Sequence, residues 1–575
     1  MRGRGALSED PEVVVVAPDG VTPPAEWFVP GAALDGEAWS GWSSRTLARG
    51  GTARRRGGAL AASLVSVHPE FAARDGVRRV REHGPRFDAP TTDAIGEIAR
   101  AVRDAGGRTW LVGGSVRDWL AGELGPDGGE IRAKDADLEI QNLDIGTLTR
   151  ILSQHFAVDT AGVSFAVLKV TVPGTGHQID VALPRRERAI GESRGHQDFE
   201  IAYDPGLDFV AAAARRDFTI GAMGFDPLTG ELLDPYGGAA DLAAGVLRHV
   251  SDAFADDPLR VLRAARFAAR FDLRVHPDTA QLCRSLRPYA DALSVERRFG
   301  ELTLTLEQAS RPGKALHVLD DLAWIDVFEP VAQLRAVAQS PAWHPEGDVF
   351  NHTAAALDFW GTHLRTGDAR DDLVVSLAVL AHDFGKVSTT RIDEAGVAHA
   401  RGHEAAGGPV VQSFLEFHRQ PGLAEEVVPL VTHHLAPLQL VEQGAGPAAW
   451  RRLAHSVGRL DRLALVSRAD VGGRPPLDPA ARLVTIDRFV EVAREIGVEH
   501  GGPTPLVGGR DLIALGLRPG PQFGLLLRQA YQDQLDGVFS TTEEGRGYLA
   551  TLVERSRSAH SSGGTETTHS PSSSG

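Results

Sequence analysis

The stretch LVGGSVRDWLAG, residues 111–122, is followed after a short loop by KDADLEI, residues 134–140. The first stretch has the pattern of a strand that ends at a glycine pair and turns into a helix. In the second stretch, Asp135 and Asp137 are two residues apart in a predicted strand, so their side chains point to the same side. Adjacent carboxylates repel each other unless a cation lies between them, and a divalent metal is the usual cation. The two stretches together predict a metal site beside a glycine turn.

Strand and helix patterns alternate between about residues 90 and 250. TTDAIGEIARAVRDAGG, at 91–107, predicts a helix with Thr92 or Asp93 near its start. Strands are predicted in RTWLVGG, DADLEIQ, SFAVLKVTVPG and HQIDVALP. After residue 250 strand patterns nearly vanish, and amphipathic helical patterns continue to about residue 555. We therefore expect a small mixed α/β domain followed by all-α domains.

The composition is that of an ordinary globular protein, with 42% hydrophobic and 24% charged residues in a chain of 575. This length favours three or four domains. No apolar stretch approaches the length of a membrane helix, and LVVSLAVLA at 373–381 reaches only about half of it. The N-terminus lacks the pattern of a secretory signal, and the single cysteine, Cys283, excludes an internal disulfide and a cysteine-based zinc cluster. These features predict a cytoplasmic location and no membrane partner.

The two ends of the chain have compositions that do not favour a packed core. Residues 1–87 are rich in Gly, Pro and Arg, and residues 556–575 are rich in Ser, Thr and Gly, so we predict disordered or loosely ordered extensions. RNA contact is an alternative for the arginines at 45–61. The net charge of −16 argues against a protein that coats nucleic acid non-specifically, but it leaves room for a local basic groove.

The glycine turn suits an anion. Gly113 and Gly114 permit close approach of the backbone to a ligand. Backbone amides of such a turn, at the start of a helix, favour a group such as a triphosphate. Asp135 and Asp137 would hold Mg²⁺ against those phosphates. Asp180, on a neighbouring predicted strand, is a third candidate, either as a proton acceptor or as a ligand of a second metal.

These motifs resemble the head of the class II tRNA nucleotidyltransferase and bacterial poly(A) polymerase family. The likeness begins with LVGGSVRD and KDADLEI and continues, in the family's motif order, through 214–250, 256–271 and 295–302. The resemblance implies a nucleotidyltransferase head at 88–250 and a helical neck at 251–340. It also implies selection of CTP or ATP without a nucleic-acid template.

The resemblance assigns roles to individual side chains. Arg216 and Asp217 resemble the pair that contacts the sugar and phosphates of the incoming nucleotide. Asp257 and Arg260 resemble the family's protein template, because a carboxylate and a guanidinium offer a base an edge with both acceptors and donors. The implied nucleotide-binding set is Gly113, Gly114, Arg117, Asp118, Arg216, Asp217, Asp257, Arg260, Arg263 and Arg266, with Arg270 and Arg274 for RNA.

The arginines from 260 to 274 are predicted to share one helix face within an arc of about 120°. Beside a phosphoryl site we favour phosphate or RNA contact for this face, and an ordinary solvated basic face is the alternative. The chain departs from the family at two positions: Asp256 stands where Glu is common, and Gly221 stands where Asn is common. The first change is mild and keeps the second carboxylate, whereas the second loses a side-chain amide near the nucleotide.

Histidines and aspartates recur between residues 344 and 476. His382 and Asp383 end an apolar predicted helix, where a buried charge needs a partner such as a metal. The order of these residues is similar to that of the HD phosphohydrolase superfamily, which implies an HD domain at 341–480. It implies one or two divalent ions, such as Mg, Mn or Ni, and hydrolysis of phosphate esters. The implied ligands are His352, His382, Asp383 and Asp470, with His403 and His433 where many members have extra ligands or phosphate-binding groups.

The remaining region, 481–555, is predicted to be helical. PLVGGRDLIALGLRPGPQFGLLLRQAYQDQLDG, at 505–537, predicts a helix, a turn and a second helix. Comparable segments lie near the C-terminus of class II relatives and are associated with tRNA binding. A helical hairpin that only packs on its neighbours is the alternative.

The combined resemblance implies an enzyme that adds CCA to tRNA from CTP and ATP, with release of pyrophosphate. An HD phosphohydrolase activity on phosphate esters is implied beside it, since removing a terminal phosphate exposes the hydroxyl that transfer needs. Poly(A) addition, or addition of C or A alone, is the alternative within the class. Alternatives from other classes are an HD phosphohydrolase whose head only binds RNA and a non-catalytic RNA-binding module. The expected partners are a tRNA or other RNA 3′ end, CTP and ATP.

Overall fold

The computed structural model describes residues 77–79, 84–123, 135–160, 167–189 and 199–562. The described residues form two compact units: the first extends to residue 301 and includes 318–324, and the second comprises 302–317 and the residues from 325 onward. Most of the predicted extension 1–87 lies outside the described residues, as does 563–575. The structure differs from the prediction at residues 77–79, which form a strand, and at residues 556–562, which continue the last helix.

The strands are β1 (Val77–Arg79), β2 (Arg108–Val112), β3 (Ala136–Gln141), β4 (Ala157–Asp159), β5 (Val167–Thr171), β6 (Gln178–Ala182), β7 (Arg185–Ala189), β8 (Phe199–Tyr203), β9 (Gly224–Phe225), β10 (Glu231–Leu233), β11 (Val246–Leu247), β12 (Arg274–Val275), β13 (Arg391–Ile392) and β14 (Ala398–His399). The first unit is built on an eight-stranded sheet with the order β1-β10-β9-β2-β3-β6-β5-β4. Its neighbouring strands are antiparallel except for β3 and β6, which are parallel. The mixed sheet and the four predicted strands, which are β2, β3, β5 and β6, are confirmed.

The helices are α1 (Ala89–Asp104), α2 (Gly114–Glu123), α3 (Ile145–Leu152), α4 (Phe209–Ala213), α5 (Gly238–Ala243), α6 (Leu259–Arg270), α7 (Pro277–Ser285), α8 (Val295–Gln308), α9 (Pro312–Asp321), α10 (Glu329–Ala332), α11 (Val349–His363), α12 (Ala369–Ala381), α13 (Lys386–Thr389), α14 (His403–Phe417), α15 (Pro421–Thr432), α16 (Ala436–Glu442), α17 (Pro447–Val457), α18 (Leu460–Gly472), α19 (Ala480–Ile496), α20 (Gly509–Ala514), α21 (Pro521–Leu535) and α22 (Thr542–Ser562). Helices dominate after residue 250, as predicted. In the part of the chain that the structure describes, none of these helices is both long enough and apolar enough to cross a bilayer.

Helix α1 begins earlier than the sequence predicted. Its N-cap is Asp88, whose side chain accepts a hydrogen bond from the Thr91 backbone N–H at 2.8 Å. Such a cap satisfies one of the amides that lack partners at a helix start. The predicted start near Thr92 is therefore wrong by about one turn. Ile98 and Val102 lie on the buried face of α1.

Strand β3 separates the core of the first unit from its open face. Leu138 and Ile140 are 1% and 0% exposed, whereas the intervening Asp137 and Glu139 retain solvent contact. This alternation follows from the two-residue period of a strand. Trp110 on β2 completes the core, and its Nε1 donates to the Gln141 side-chain oxygen at 3.0 Å. The sheet therefore presents its acidic side chains away from the core.

In its described residues, the second unit is helical except for the short pair of β13 and β14. Helix α12 packs against α11, α15 and α18, and its residues from Val374 to Ala381 are buried. The predicted helix, turn and helix near the C-terminus are confirmed as α20 and α21. Leu512 and Leu526 from these helices share a buried cluster with Leu549 from α22, so this hairpin packs on its neighbour.

Candidate functional site

The glycine turn of the first unit lies against a carboxylate and a guanidinium. Gly113 connects β2 to α2 with φ of 72°, in the left-handed region that favours glycine. A Cβ at this position would lie 3.3 Å from the Asp137 Oδ2 atom and 3.8 Å from the Arg216 Nη1 atom. The turn, the metal-type carboxylate and the nucleotide-type arginine predicted from sequence are therefore brought together.

The carboxylates of this site come from two adjacent strands. In the parallel pair of β3 and β6, Asp137 is directly opposite Asp180, and Asp135 immediately precedes β3. The pKa of Asp137 is raised, because its surroundings partly desolvate it and because Asp180 and Asp135 repel its negative charge. Lys169, which the sequence prediction missed, places its Nζ 3.0 Å from the Asp180 Oδ1 atom. Mutually repelling oxygen donors on an open face fit a hard divalent cation.

Arg216 and Asp217 are held by different neighbours. The Arg216 Nη1 donates to the Gly221 carbonyl at 3.1 Å, and its Nη2 lies 3.4 Å from the Glu139 Oε2 atom. The Asp217 Oδ2 accepts from the Arg263 Nε at 2.8 Å. Burial by itself would raise the pKa of Asp217, but Arg263 lowers it overall. The predicted nucleotide-binding residues Asp217 and Arg263 are thus an ion pair.

The two predicted base-reading residues are fixed in place. The Asp257 Oδ1 accepts from the Leu259 backbone N–H at 3.0 Å, and its Oδ2 accepts from the Arg297 Nη2 at 2.7 Å. Arg260 donates to the carbonyls of Ala253 and Arg215, at 2.6 Å and 2.9 Å. Arg297 was not singled out in the sequence, although it lies in the family-like segment VERRFGEL. Neighbouring groups therefore hold both side chains in place.

The remaining predicted arginines divide into three situations. Arg117 and Arg270 both pair with Asp118, at 2.7 Å each. Arg266 is 6% exposed, and its Nε lies 2.8 Å from the Glu301 Oε2 atom, a location that does not support direct phosphate contact. The prediction that Arg274 continues the helix face is wrong, because α6 ends at Arg270 and Arg274 belongs to β12.

In the second unit, histidines and aspartates from five segments converge. His352 lies on α11, the His382-Asp383 pair follows α12, His403 begins α14, His434 follows α15, and Asp470 lies on α18. The two segments that carry Asp383 and His403 approach very closely. A Cβ at Gly385 would lie 1.9 Å from the His403 carbonyl oxygen, so only glycine fits there. All these ligand-type residues are buried or nearly so: His352, His382, Asp383, His403, His434 and Asp470.

The four histidines are oriented alike by hydrogen bonds from Nδ1. In three of them the Nδ1–H donates to the backbone carbonyl three residues earlier: His382 to Val379 at 2.7 Å, His403 to Ala400 at 2.8 Å, and His434 to Val431 at 2.8 Å. His352 Nδ1 instead lies 2.7 Å from the Glu346 Oε1 atom and 3.1 Å from the Gly473 carbonyl. This pattern turns the Nε2 atom of each ring toward the cluster, as in metal-binding histidines. His352 Nε2 also lies 3.1 Å from the Oδ1 atom of the predicted ligand Asp470.

The Nε2 atoms face one another in two pairs. His352 and His382 are 3.3 Å apart at Nε2, and so are His403 and His434. Asp383 lies between the pairs, with its Oδ2 3.2 Å from His382 Nε2 and its Oδ1 3.3 Å from His403 Nε2. When both rings are neutral and protonated at Nδ1, their Nε2 lone pairs face each other, and a divalent ion can bind both of them. The donor set therefore fits one divalent ion per histidine pair, with Asp383 common to both.

The electrostatics of this cluster agree with that fit. Asp383 is 1% exposed, and neither of its carboxylate oxygens has a well-aligned hydrogen-bond donor, although Lys386 Nζ is 2.7 Å away. Burial opposes its ionisation, but His382 and Lys386 hold the pKa of Asp383 well below its usual range. Burial lowers the pKa of His434 to about 3. Asp383 thus stays anionic and His434 neutral, the forms that bind metals. At His352 burial alone would lower the pKa, but the hydrogen bonds to Asp470 and Glu346 raise it overall.

One predicted ligand needs correction. The structure places His434, not His433, beside His403, because α15 ends at Thr432 and the His433 Nδ1 turns back to the Pro429 carbonyl at 3.0 Å. The sequence reasoning also missed Glu346, His344 and Arg474. Arg474 pairs with Asp470, and both His344 and His352 bond to Glu346. The only sequence signal was their nearness to the predicted ligands.

Comparisons with known proteins agree on one family. Residues 109–248 match the Poly A polymerase head domain. The multifunctional CCA protein of Neisseria meningitidis (serogroup C, strain 053442) is 34% identical over 374 residues, which cover 64% of this chain and 79% of that protein. The one from Alkalilimnicola ehrlichii is 36% identical over 396 residues, covering 66% and 88%.

A solved structure shows the same fold. The crystal structure of the Bacillus stearothermophilus CCA-adding enzyme in complex with CTP has a TM-score of 0.55 and 21% identity, covering 83% of this chain and 100% of that one. Together with the sequence identity to the CCA proteins, this likeness explains the mixed-sheet head and the helical remainder. The chain belongs to the family of multifunctional CCA proteins, within the class II CCA-adding nucleotidyltransferases.

Proposed function

We propose that the first unit completes the CCA end of tRNA, using CTP and ATP. The observation that carries this proposal is the contact of Gly113, Asp137 and Arg216 beside Asp180. Membership in the CCA family supports the reaction type, and the relative solved with CTP supports the nucleotide. The substrate pair is thus an RNA 3′ hydroxyl and a nucleoside triphosphate, and the second product is pyrophosphate.

The residues of the first unit have separate roles in this reaction. Asp135 and Asp137 would hold Mg²⁺, which when bound neutralises phosphate charge and makes the attacking hydroxyl more acidic. The turn at Gly113 lets backbone amides at the start of α2 approach the triphosphate. Asp180 would accept the proton of the RNA 3′ hydroxyl as the hydroxyl oxygen bonds to the α-phosphorus and the bond from the α-phosphorus to the leaving pyrophosphate breaks. Asp257 and Arg260, fixed by their neighbours, present a constant edge to the base.

The second unit is, in our proposal, a divalent-metal phosphohydrolase that acts on phosphate esters. His352 and His382 would hold one ion and His403 and His434 a second, with Asp383 between them and Asp470 as a further ligand beside His352. Bound divalent ions supply Lewis acidity to phosphate ester hydrolysis. The Nδ1 hydrogen bonds of the histidines keep their Nε2 atoms available. We expect both activities in the cytoplasm, where tRNA is processed.

The test replaces the proposed metal ligands of each unit separately in the full chain. Asp135→Ala with Asp137→Ala should abolish incorporation of CMP and AMP into a tRNA lacking CCA, while phosphatase activity remains. His382→Ala with Asp383→Ala should do the reverse. Sequencing the new 3′ ends, with each nucleotide alone and mixed, distinguishes CCA from poly(A) or single-nucleotide addition. Incorporation that survives loss of both aspartates contradicts the assignment, and homopolymer A on any RNA contradicts CCA addition.

A further inference from the structure

A row of charged side chains crosses four adjacent strands on the open face of the first sheet. The register places Asp137 of β3 opposite Asp180 of β6, and Asp180 opposite Lys169 of β5. Lys169 is in turn opposite Asp159 of β4. Because residues directly opposite one another point to the same face, these four side chains share the face that carries the proposed metal site. Lys169 is the cation of this row, with carboxylates on both sides.

The contact between Lys169 and Asp180 uses one carboxylate oxygen. The Lys169 Nζ donates to the Asp180 Oδ1 atom at 3.0 Å, and this hydrogen bond raises the pKa of Lys169, which therefore stays charged. The two side chains are 48% and 42% exposed, and ion pairs this exposed add little to stability. The pair does restrict the rotation of the Asp180 carboxylate, whose Oδ2 atom is not used by the ammonium. Its main consequence is therefore orientation.

The cation at this position is of a type that the chain uses rarely. Of its 60 lysine and arginine residues, four are lysines: Lys134, Lys169, Lys314 and Lys386. Two of the four contact an aspartate of a proposed site, since Lys386 lies 2.7 Å from the Asp383 carboxylate and Lys169 contacts Asp180. Arginine tends to bind a carboxylate through both oxygens, whereas the lysine ammonium is a compact point charge. A lysine can therefore hold Asp180 and leave its second oxygen available.

We propose that Lys169 is a positioning residue of the nucleotidyl transfer. It holds Asp180 through Oδ1, so that Oδ2 accepts the proton of the RNA 3′ hydroxyl while the hydroxyl oxygen bonds to the α-phosphorus and pyrophosphate leaves. Lys169 acts through Asp180 and contacts neither the nucleotide nor the RNA. This inference rests on the transfer reaction proposed above and adds to it the group that orients the proton acceptor.

The test measures the single-turnover rate constant for adding the first CMP to a tRNA that lacks CCA, with the full chain, Mg²⁺ and saturating CTP. Lys169→Met removes the ammonium at similar length and should lower the rate constant about tenfold, because the acceptor loses its orientation. Lys169→Arg should lower it to a similar extent, because a guanidinium occupies both Asp180 oxygens. The half-saturating concentrations of CTP and tRNA should stay within about twofold of the wild type in both variants.

A matched control and a double-mutant cycle separate positioning from stability. Arg108, 45% exposed, forms an ion pair with Glu231 in the same sheet and lies about 13 Å along β2 from Val112, the partner of Asp137. Arg108→Met should leave the rate constant unchanged, and the Tm of Lys169→Met should stay within about 3 °C of the wild type.

The cycle combines Lys169→Met with Asp180→Asn. Asp180→Asn alone should lower the rate constant by about 10²- to 10⁴-fold, the usual contribution of a proton acceptor. Adding Lys169→Met to it should cause no further loss, because Lys169 acts through the carboxylate that is already gone. A further tenfold loss in the Asp180→Asn background would show that Lys169 acts independently and would overturn the proposal.

The outcomes distinguish this inference from the transfer reaction itself. If the wild type adds CMP and either Lys169 variant adds it at the wild-type rate, the positioning role is refuted and the transfer stands. If Lys169→Met raises the half-saturating tRNA concentration at an unchanged rate constant, Lys169 is an RNA contact and the positioning role is overturned. A wild type that adds no CMP refutes the transfer, and the positioning role is rejected with it.

Discussion

Glu346 should control metal affinity in the second unit although it is not among the proposed ligands. Its Oε1 atom lies 2.8 Å from His344 Nδ1 and 2.7 Å from His352 Nδ1. A carboxylate behind a metal-binding histidine fixes its tautomer and raises its basicity, and removing such a partner costs about 10- to 100-fold in metal affinity. Because His352 keeps the Gly473 carbonyl at 3.1 Å, the loss should not be total.

Two substitutions separate charge from hydrogen bonding. Glu346→Gln keeps an acceptor oxygen but loses the charge, so the Kd for Mn²⁺ should rise about tenfold; Glu346→Ala loses both and should approach 100-fold. The assay is competition for Mn²⁺ between the full chain and a chromophoric chelator. Glu416→Gln, on the surface of α14, is the control. An unchanged Kd in Glu346→Ala would refute the reasoning that His352 binds metal through Nε2.

Three further predictions concern single side chains. His434→Gln should lower the bound divalent metal by about one ion per chain, measured by elemental analysis, whereas His433→Gln should not; equal effects would reject the correction made above. Gly113→Ala should reduce nucleotide incorporation about 10- to 100-fold, since its Cβ strains a left-handed turn and presses on Asp137; normal incorporation would contradict the close approach. In Mg²⁺-free buffer Asp137→Asn should raise the Tm at pH 7 by about 1–2 °C. The raised pKa of Asp137 means that its ionised form opposes folding above that pKa, so the gain should shrink as the pH falls, and a lower Tm at pH 7 would contradict it.

The sheet of the first unit was accessible from sequence because its strands alternate with a short period. Each of the four strong patterns became a strand, and the same alternation accounts for Asp137 on the open face of β3, with Asp135 just before that strand. The neighbouring position of Asp180 also followed from its place in a strand. The ion pair of Lys169 with Asp180 did not follow, since it depends on the register between β5 and β6, which pairs residues eleven apart in the chain.

Helix ends were the main source of error. The basic face predicted through Arg274 stops at Arg270, because Asp272 adopts a positive φ of 53° and no glycine or proline marks that break. The predicted ligand His433 and the observed cluster residue His434 are neighbours in the chain. A shift of one position rotates a helical side chain by about 100°, so an error of one residue at the end of α15 exchanges a buried ligand for its neighbour.

The hydrogen bonds behind the four imidazoles differ in how they respond to mutation. Three of the acceptors are main-chain oxygens, which every amino acid supplies, so replacing the side chains of Val379, Ala400 or Val431 leaves those oxygens present. Glu346 is the exception, as the one side-chain acceptor in the set. Substitutions that change metal preference among relatives are therefore expected at Glu346, whereas the other three histidines keep their orientation.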